Sequence, residues 1–270
     1  MTKALYKTRA IALLLLLGLS TATAQYAGRT FTVVPYAAVQ RFAWEEYANQ
    51  QRLLQELGSC YSFGAASRLW LVPREVFFTE LELAYAFGKV DYDGSRTDED
   101  GEYAPYSAST AYSAFEGTLL LGSTLRPARR FLVTPVAGFG IQYWYRNLDY
   151  QGPYAYTEKY LVPSLGGGIR FTYVLETDIQ VFSTAYVSFP LSIDESFTLA
   201  LQGHEPIKVV LHPASHPRYE AGIGVELYRV FLVFSFESWV LGRSDTSHYF
   251  YQPESRRHKY GVRVGYSLGF

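Results

Sequence analysis

Alternation of apolar and polar positions governs most of this 270-residue chain. In the final stretch, Tyr260, Val262, Val264, Tyr266, Leu268 and Phe270 fall on one strand face, and Gly261, Arg263, Gly265, Ser267 and Gly269 fall on the other. Side chains of a strand point alternately to its two faces, so this is the period of a β-strand, with one face wholly apolar. The same period predicts nine further strands: 29–42, 60–71, 76–90, 113–125, 131–145, 159–174, 178–189, 218–227 and 230–241. Within 131–145, for example, Phe131, Val133, Ala137, Phe139, Ile141, Tyr143 and Tyr145 oppose Gly138, Gly140 and Gln142.

The connections alternate in length. Those at 43–57, 91–111, 146–158, 191–217 and 242–257 are long, whereas those around Pro73-Arg74, Arg126-Pro127-Ala128-Arg129, Glu176 and Tyr228-Arg229 are tight. An even number of strands with one face apolar throughout, short turns at one end and long loops at the other predicts an antiparallel transmembrane β-barrel. A soluble sandwich would wet its outer faces. The expected fold is therefore all-β, a single barrel of about ten strands, with eight or twelve as the alternatives if one hairpin is misread. One segment departs from the period: within 42–57, Trp44, Tyr47, Leu54 and Leu57 lie near helical spacing among polar residues, which predicts a short helix in the first outer loop.

The N-terminus places the chain in an envelope compartment. Lys3, Lys7 and Arg9 precede an apolar run, Ala10–Leu19, and Ala22-Thr23-Ala24 forms a small-residue cleavage site. That is the order of a secretory signal peptide, expected over residues 1–24, with the barrel domain over 25–270. The run is too short for a membrane helix, which needs about 20 residues. The formal net charge is −1, and no basic patch invites nucleic acid. The lone Cys60 excludes an intramolecular disulfide and reads as a small interior residue. With 24 Tyr and 22 Gly, the composition suits aromatic girdles at the membrane boundaries.

If the apolar faces meet lipid, the interior receives Arg68, Glu80, Glu82, Glu116, Arg170, Arg218, Glu220, Glu226, Glu237, Lys259 and Arg263. Acids and bases nearly balance. Charges rarely bury unpaired, so an internal ion-pair network closing the lumen is expected. The rival reading is a narrow polar pore. A barrel of this size leaves little free bore, which disfavours a wide porin.

The outer loops hold the remaining candidates for chemistry. Residues 91–102 are rich in carboxylates but lack the ligand order of a calcium hand, and read as a solvated acidic loop. His204, His212 and His216 share a loop without a metal-site motif, and no metal or cofactor is expected. Some outer-membrane barrels are enzymes: the omptin proteases use Asp and His pairs at the rim, and barrel lipases and deacylases use Ser and His with an acid. The counterparts here would be His248 with Asp245 or Asp194, or a Ser near His258; none sits in a matching motif, and the chain is not expected to be an enzyme.

The closing strand, with its terminal aromatic, resembles that of bacterial outer-membrane β-barrels. Leu165-Gly-Gly-Gly-Ile-Arg-Phe-Thr-Tyr173, Ser62–Arg68 with Glu80–Tyr85, and Ala221–Leu227 resemble the repeating hairpins of the small outer-membrane β-barrel domain proteins, the OmpA/OmpX/OmpW-like group and especially its Bacteroidetes forms. The resemblance implies residence in the bacterial outer membrane, contact with its lipid and lipopolysaccharide, and recognition of Tyr266, Leu268 and Phe270 by the barrel assembly machinery. It transfers no functional residue. The expected work is structural, or binding and adhesion through Tyr-rich outer loops such as 143–160, where Tyr offers contact area at low entropy cost. A narrow channel for small solutes and a rim hydrolase are the alternatives.

Overall fold

The computed structural model describes residues 31–71, 76–97, 103–148, 156–176, 178–199, 207–247 and 250–270. The strands are β1 (Phe31–Ala48), β2 (Gln51–Trp70), β3 (Phe77–Thr97), β4 (Tyr103–Ser123), β5 (Leu125–Ala128), β6 (Phe131–Leu148), β7 (Tyr156–Glu176), β8 (Ile179–Pro190), β9 (Asp194–Leu199), β10 (Ile207–Leu211), β11 (Pro213–Ser215), β12 (Arg218–Leu227), β13 (Val230–Ser244), β14 (Glu254–Tyr266) and β15 (Leu268–Gly269). Ten of them, β1–β4, β6–β8 and β12–β14, pair antiparallel in one closed barrel. The strand count and architecture thus match the alternation read from the sequence.

The ring closes where the last strand meets the first. β1 pairs with β14 from Tyr36↔Gly265 to Tyr47↔Glu254, and with β15 at Thr32↔Gly269. Phe270 N donates to Phe31 O at 2.8 Å, and the two rings lie 6.2 Å apart. Closure matters because an open edge would leave backbone donors and acceptors bare in hydrocarbon.

The outer face is an apolar belt. Phe63, Leu121, Phe139, Leu165, Ile223, Phe234 and Val264 are exposed, as are the rim-level rings of Tyr61, Phe87, Phe115, Tyr219 and Tyr260. So continuous an apolar surface is incompatible with water and marks the lipid-facing zone. Above it the outside turns polar, with Arg41, Lys89, Asp91, Asp93, Lys159, Arg243 and Arg256 all exposed.

Strand continues well past that boundary. A membrane crossing takes roughly 9–11 residues, yet β2 has 20 residues and β3, β4 and β7 have 21 each. Much of the length assigned above to outer loops is therefore barrel wall standing clear of the membrane. The predicted helix within 42–57 is not there. β1 and β2 run through it and join at Asn49 and Gln50, both left-handed (φ 50° and 67°), a two-residue turn whose twist matches the strands. The helical spacing of Trp44 and Leu54 was coincidental. Both point inward on their strands, along with Glu46 and Glu56, which a helix would have left in water.

Candidate functional site

The interior fills in tiers that follow from the register. Nearest the periplasm, Arg68 and Glu80 are direct cross-strand partners, joined at 2.6 Å, with the guanidinium over the Phe78 ring. Arg170 stacks on Phe182 at 3.7 Å instead of pairing, and its Nε has no hydrogen-bond partner among the described residues. Glu226 likewise makes no close ion pair there. Higher, Arg263 reaches Glu82 at 3.0 Å, and Tyr36 donates to the same carboxylate at 2.5 Å. A side chain at position 64 would strike the Tyr36 ring, so Gly64 makes room for this contact. At mid-barrel, Lys259 bridges Glu116 (3.3 Å) and Glu237 (3.5 Å), Arg257 holds Glu237 at 2.6 Å, and Arg218 pairs with Glu220 at 2.8 Å. Nine of the eleven charges assigned to the lumen are thus in pairs, and Arg170 and Glu226 are not.

The tier above was not anticipated. Trp44, Trp144, Trp239 and Tyr160 form an aromatic layer across the bore, each at most 3 % exposed. Trp144 stacks on Tyr160 with centroids 4.5 Å apart and meets Trp239 edge-on at 5.8 Å, while Arg257 lies against both indoles from below. Register explains the layer: Trp144 faces Tyr160, and Trp44 and Trp239 both face Arg257.

Packed on these rings is a fully buried cation, Arg146. Its Nη1 contacts Glu158 at 2.8 Å and Glu46 at 2.9 Å, and its Nε contacts Glu56 at 3.1 Å. Thr110 and Tyr112 donate to Glu56, Tyr160 and Tyr156 donate to Glu158, and the Trp44 indole donates to Glu46. A fourth acid, Glu195, is 1 % exposed and lies across from Tyr160 on β9. The Gln252 amide faces it at 3.1 Å, and donates to it once the amide is turned so that its nitrogen, not its oxygen, meets the acid. This tier sits inside the wall that rises above the lipid belt. Burial pushes the Glu158 carboxyl up despite Arg146, and it pushes Glu195 well above the ordinary carboxylate range, reinforced by the charges of Glu158 and Glu46. Burial alone would lower the Arg146 value, but Glu56 and Glu158 hold it well above normal. Period-two alternation carried past Tyr145 and back before Lys159 would have found Arg146 and Glu158; treating 43–57 and 146–158 as loops hid them.

A gap of about 30 Å³ lies among Gln40, Cys60, Tyr112, Glu116 and Lys259, and another of about 10 Å³ beside Gln142, Ser164 and Arg218. These are water-sized spaces.

At the outer rim, His212 Nδ1 lies 3.1 Å from Asp194, and its backbone N donates to Asp245 at 3.0 Å. The histidine that meets these two aspartates is therefore His212, whereas His248 and His204 lie outside the described residues. Asp194 pairs with outward-facing Leu161, which puts the group on the barrel's exterior, half-exposed. His216 accepts from the Trp239 indole through its carbonyl, and the His258 ring stacks on Phe236. No group of three or more His, Cys, Asp or Glu among the described residues is arranged to hold a metal. The acidic segment after Arg96 also falls largely outside the described residues.

A closed ring of ten antiparallel strands, an apolar belt and a charged interior define an outer-membrane β-barrel. No protein-family model and no curated protein matches the chain. Among solved structures, the outer membrane protease OmpT from Escherichia coli aligns over 93 % of this chain and 100 % of its own, with a TM-score of 0.62 and 12 % identity. The translocator domain of the autotransporter NalP from Neisseria meningitidis aligns over 97 % and 95 %, with a TM-score of 0.49 and 14 % identity. At such identities the likeness to OmpT is one of fold.

Proposed function

We propose that the protein is a non-conducting outer-membrane barrel whose work is structural or binding, performed by the rim it raises above the membrane. The observation that carries this reading is the aromatic layer of Trp44, Trp144, Trp239 and Tyr160, capped by Arg146 and its glutamates. Indoles packed edge to face across the bore, with ion pairs beneath them, support a lumen closed to a file of water. At the level of this layer the wall presents Tyr rings outward, such as the Tyr143–Tyr145 pair at 4.9 Å, on strands rather than on slack loops. Rigid aromatic surface binds partners with little ordering cost. The test is single-channel recording of the refolded barrel in a planar bilayer, with heat-modifiable gel migration as the check on folding. A folded, silent barrel supports the reading, whereas steady selective steps would overturn it in favour of a narrow solute channel.

A second reading, a rim hydrolase, rests on His212 between Asp194 and Asp245. A carboxylate hydrogen-bonded to an imidazole is the arrangement that orients a general base. Its exposure and its position on the outer face leave it without a water-excluding cleft, which makes it the weaker reading. Fluorogenic peptide and ester panels would reveal turnover, and activity lost in both His212→Ala and Asp194→Asn would favour this reading.

A further inference from the structure

The charge count of the upper tier leads to a conformational device. Arg146 pairs with three buried carboxylates, Glu46, Glu56 and Glu158, and a fourth, Glu195, is buried beside them without an ion pair among the described residues. Lower in the bore each pairing cation meets one or two acids. The other polar groups facing this tier are neutral donors: Tyr92 from β3, Tyr112 from β4, Tyr156 and Tyr160 from β7, and Gln252 from the segment before β14. The next cation, Arg257 on β14, lies beneath the indoles and is committed to Glu237. Nη2 of Arg146 is buried with no hydrogen-bond partner among the described residues, so its capacity is not exhausted, yet among those residues one positive charge cannot offset four negative ones. Desolvation forbids leaving the surplus ionised.

We infer that the upper tier is closed by bound protons, held chiefly on Glu195, and that their loss at alkaline external pH releases the β9–β10 hairpin from the barrel wall. The inference rests on the closed-lumen reading above. Glu195 is the natural release point because β9 and β10 are a short hairpin whose ladder with β7 has three pairs, Lys159↔Ser196, Tyr160↔Glu195 and Leu161↔Asp194, its remaining hold being the apolar contact of Phe197, Val209 and Leu211 with Tyr156 and Phe250. Once ionised, Glu195 faces the negative charges of Glu158 and Glu46, which Arg146 offsets only in part. Glu46 and Glu56 are anchored by long β1–β2 pairing and have no comparable freedom. A carboxyl that stays protonated in the closed form and ionises in the released one favours closure at low pH, and that preference is lost as pH rises through the closed-state value.

Lys208, exposed on β10, gives the readout, because trypsin cuts after it only when the hairpin leaves the wall. Cleavage of the refolded full-length protein would be timed at pH 6 and pH 9, normalised to a free peptide at each pH. The expectation is a rise of at least about tenfold at pH 9 in the wild type, and no rise in Glu195→Gln, which keeps the shape without a titrating proton. Should Glu195→Gln not migrate as a folded barrel, Glu158→Gln removes the opposing charge and serves instead, with the same expectation. Equal rates at the two pH values, or a variant that behaves like the wild type, would overturn the inference. Conductance at pH 6 with an unmoved hairpin would defeat the closed-lumen reading while leaving the proton lock to be judged on its own rates.

Discussion

At mid-barrel Lys259 lies between Glu116 and Glu237, and Arg257 backs Glu237, so two cations meet two acids within reach of the small water-sized gap beside them. One layer up, Arg146 alone serves three glutamates, beside a fourth, with every partner almost fully buried. Both regions are polar, and both project into the bore. The difference is in what holds them together. The middle tier is neutralised by ions and tolerates hydration, whereas the upper tier is neutralised partly by protons and depends on one arginine. Buried pairs are poor sources of net stability, because desolvation offsets most of the attraction, but removing one partner of such a set is costly.

Arg146→Met is therefore expected to have the largest effect, a loss of about 3–5 kcal/mol through uncompensated buried carboxylates. Denaturant unfolding in lipid vesicles would measure it, and a loss below about 1 kcal/mol would mean that the glutamates are already protonated without the arginine's help. Arg146→Lys should recover little, since one ammonium cannot reproduce three contacts fixed by a planar fork.

Trp144→Ala comes next. It deletes a ring stacked on Tyr160 and edge-on to Trp239, with a cost of about 3 kcal/mol for a large buried aromatic. Its distinctive consequence is a hole in the layer that separates the two tiers. Conductance appearing in Trp144→Ala but not in a middle-tier variant would place the seal in the aromatic layer; conductance in neither would mean that ion pairs alone suffice to close the bore.

Most of the middle tier was legible in the sequence, Arg257 in the supposed loop 242–257 excepted, and the upper tier was not. Glu82, Glu116, Glu237 and Arg263 lie on segments whose alternation with lipid-facing residues is unbroken, so their inward direction follows from parity. Above the lipid belt the outer face meets water and becomes polar, as at Arg41, Lys89 and Lys159, and the contrast that marks a strand disappears while the strand continues. Glu46, Glu56, Arg146 and Glu158 lie in that silent stretch. What parity could not supply at all was proximity: Glu46 and Arg146 are a hundred residues apart and meet only because the barrel closes. Likewise, the pairing of Asp194 with His212 depends on where the β9–β10 hairpin folds back.

Lys259→Met should cost least, about 1–2 kcal/mol, because Glu116 keeps substantial contact with water and Glu237 keeps Arg257. Removing the ammonium leaves two acids served by one guanidinium, a small copy of the imbalance around Arg146. This makes the variant a direct probe of the comparison between tiers. If the middle tier is hydrated, its acids can stay ionised by recruiting water, and the unfolding midpoint should shift only slightly with pH between 6 and 9. If instead Lys259→Met becomes as costly as Arg146→Met, or acquires the same alkaline sensitivity, the two tiers share one dry environment. The distinction between an ion-neutralised middle and a proton-neutralised rim would then fall.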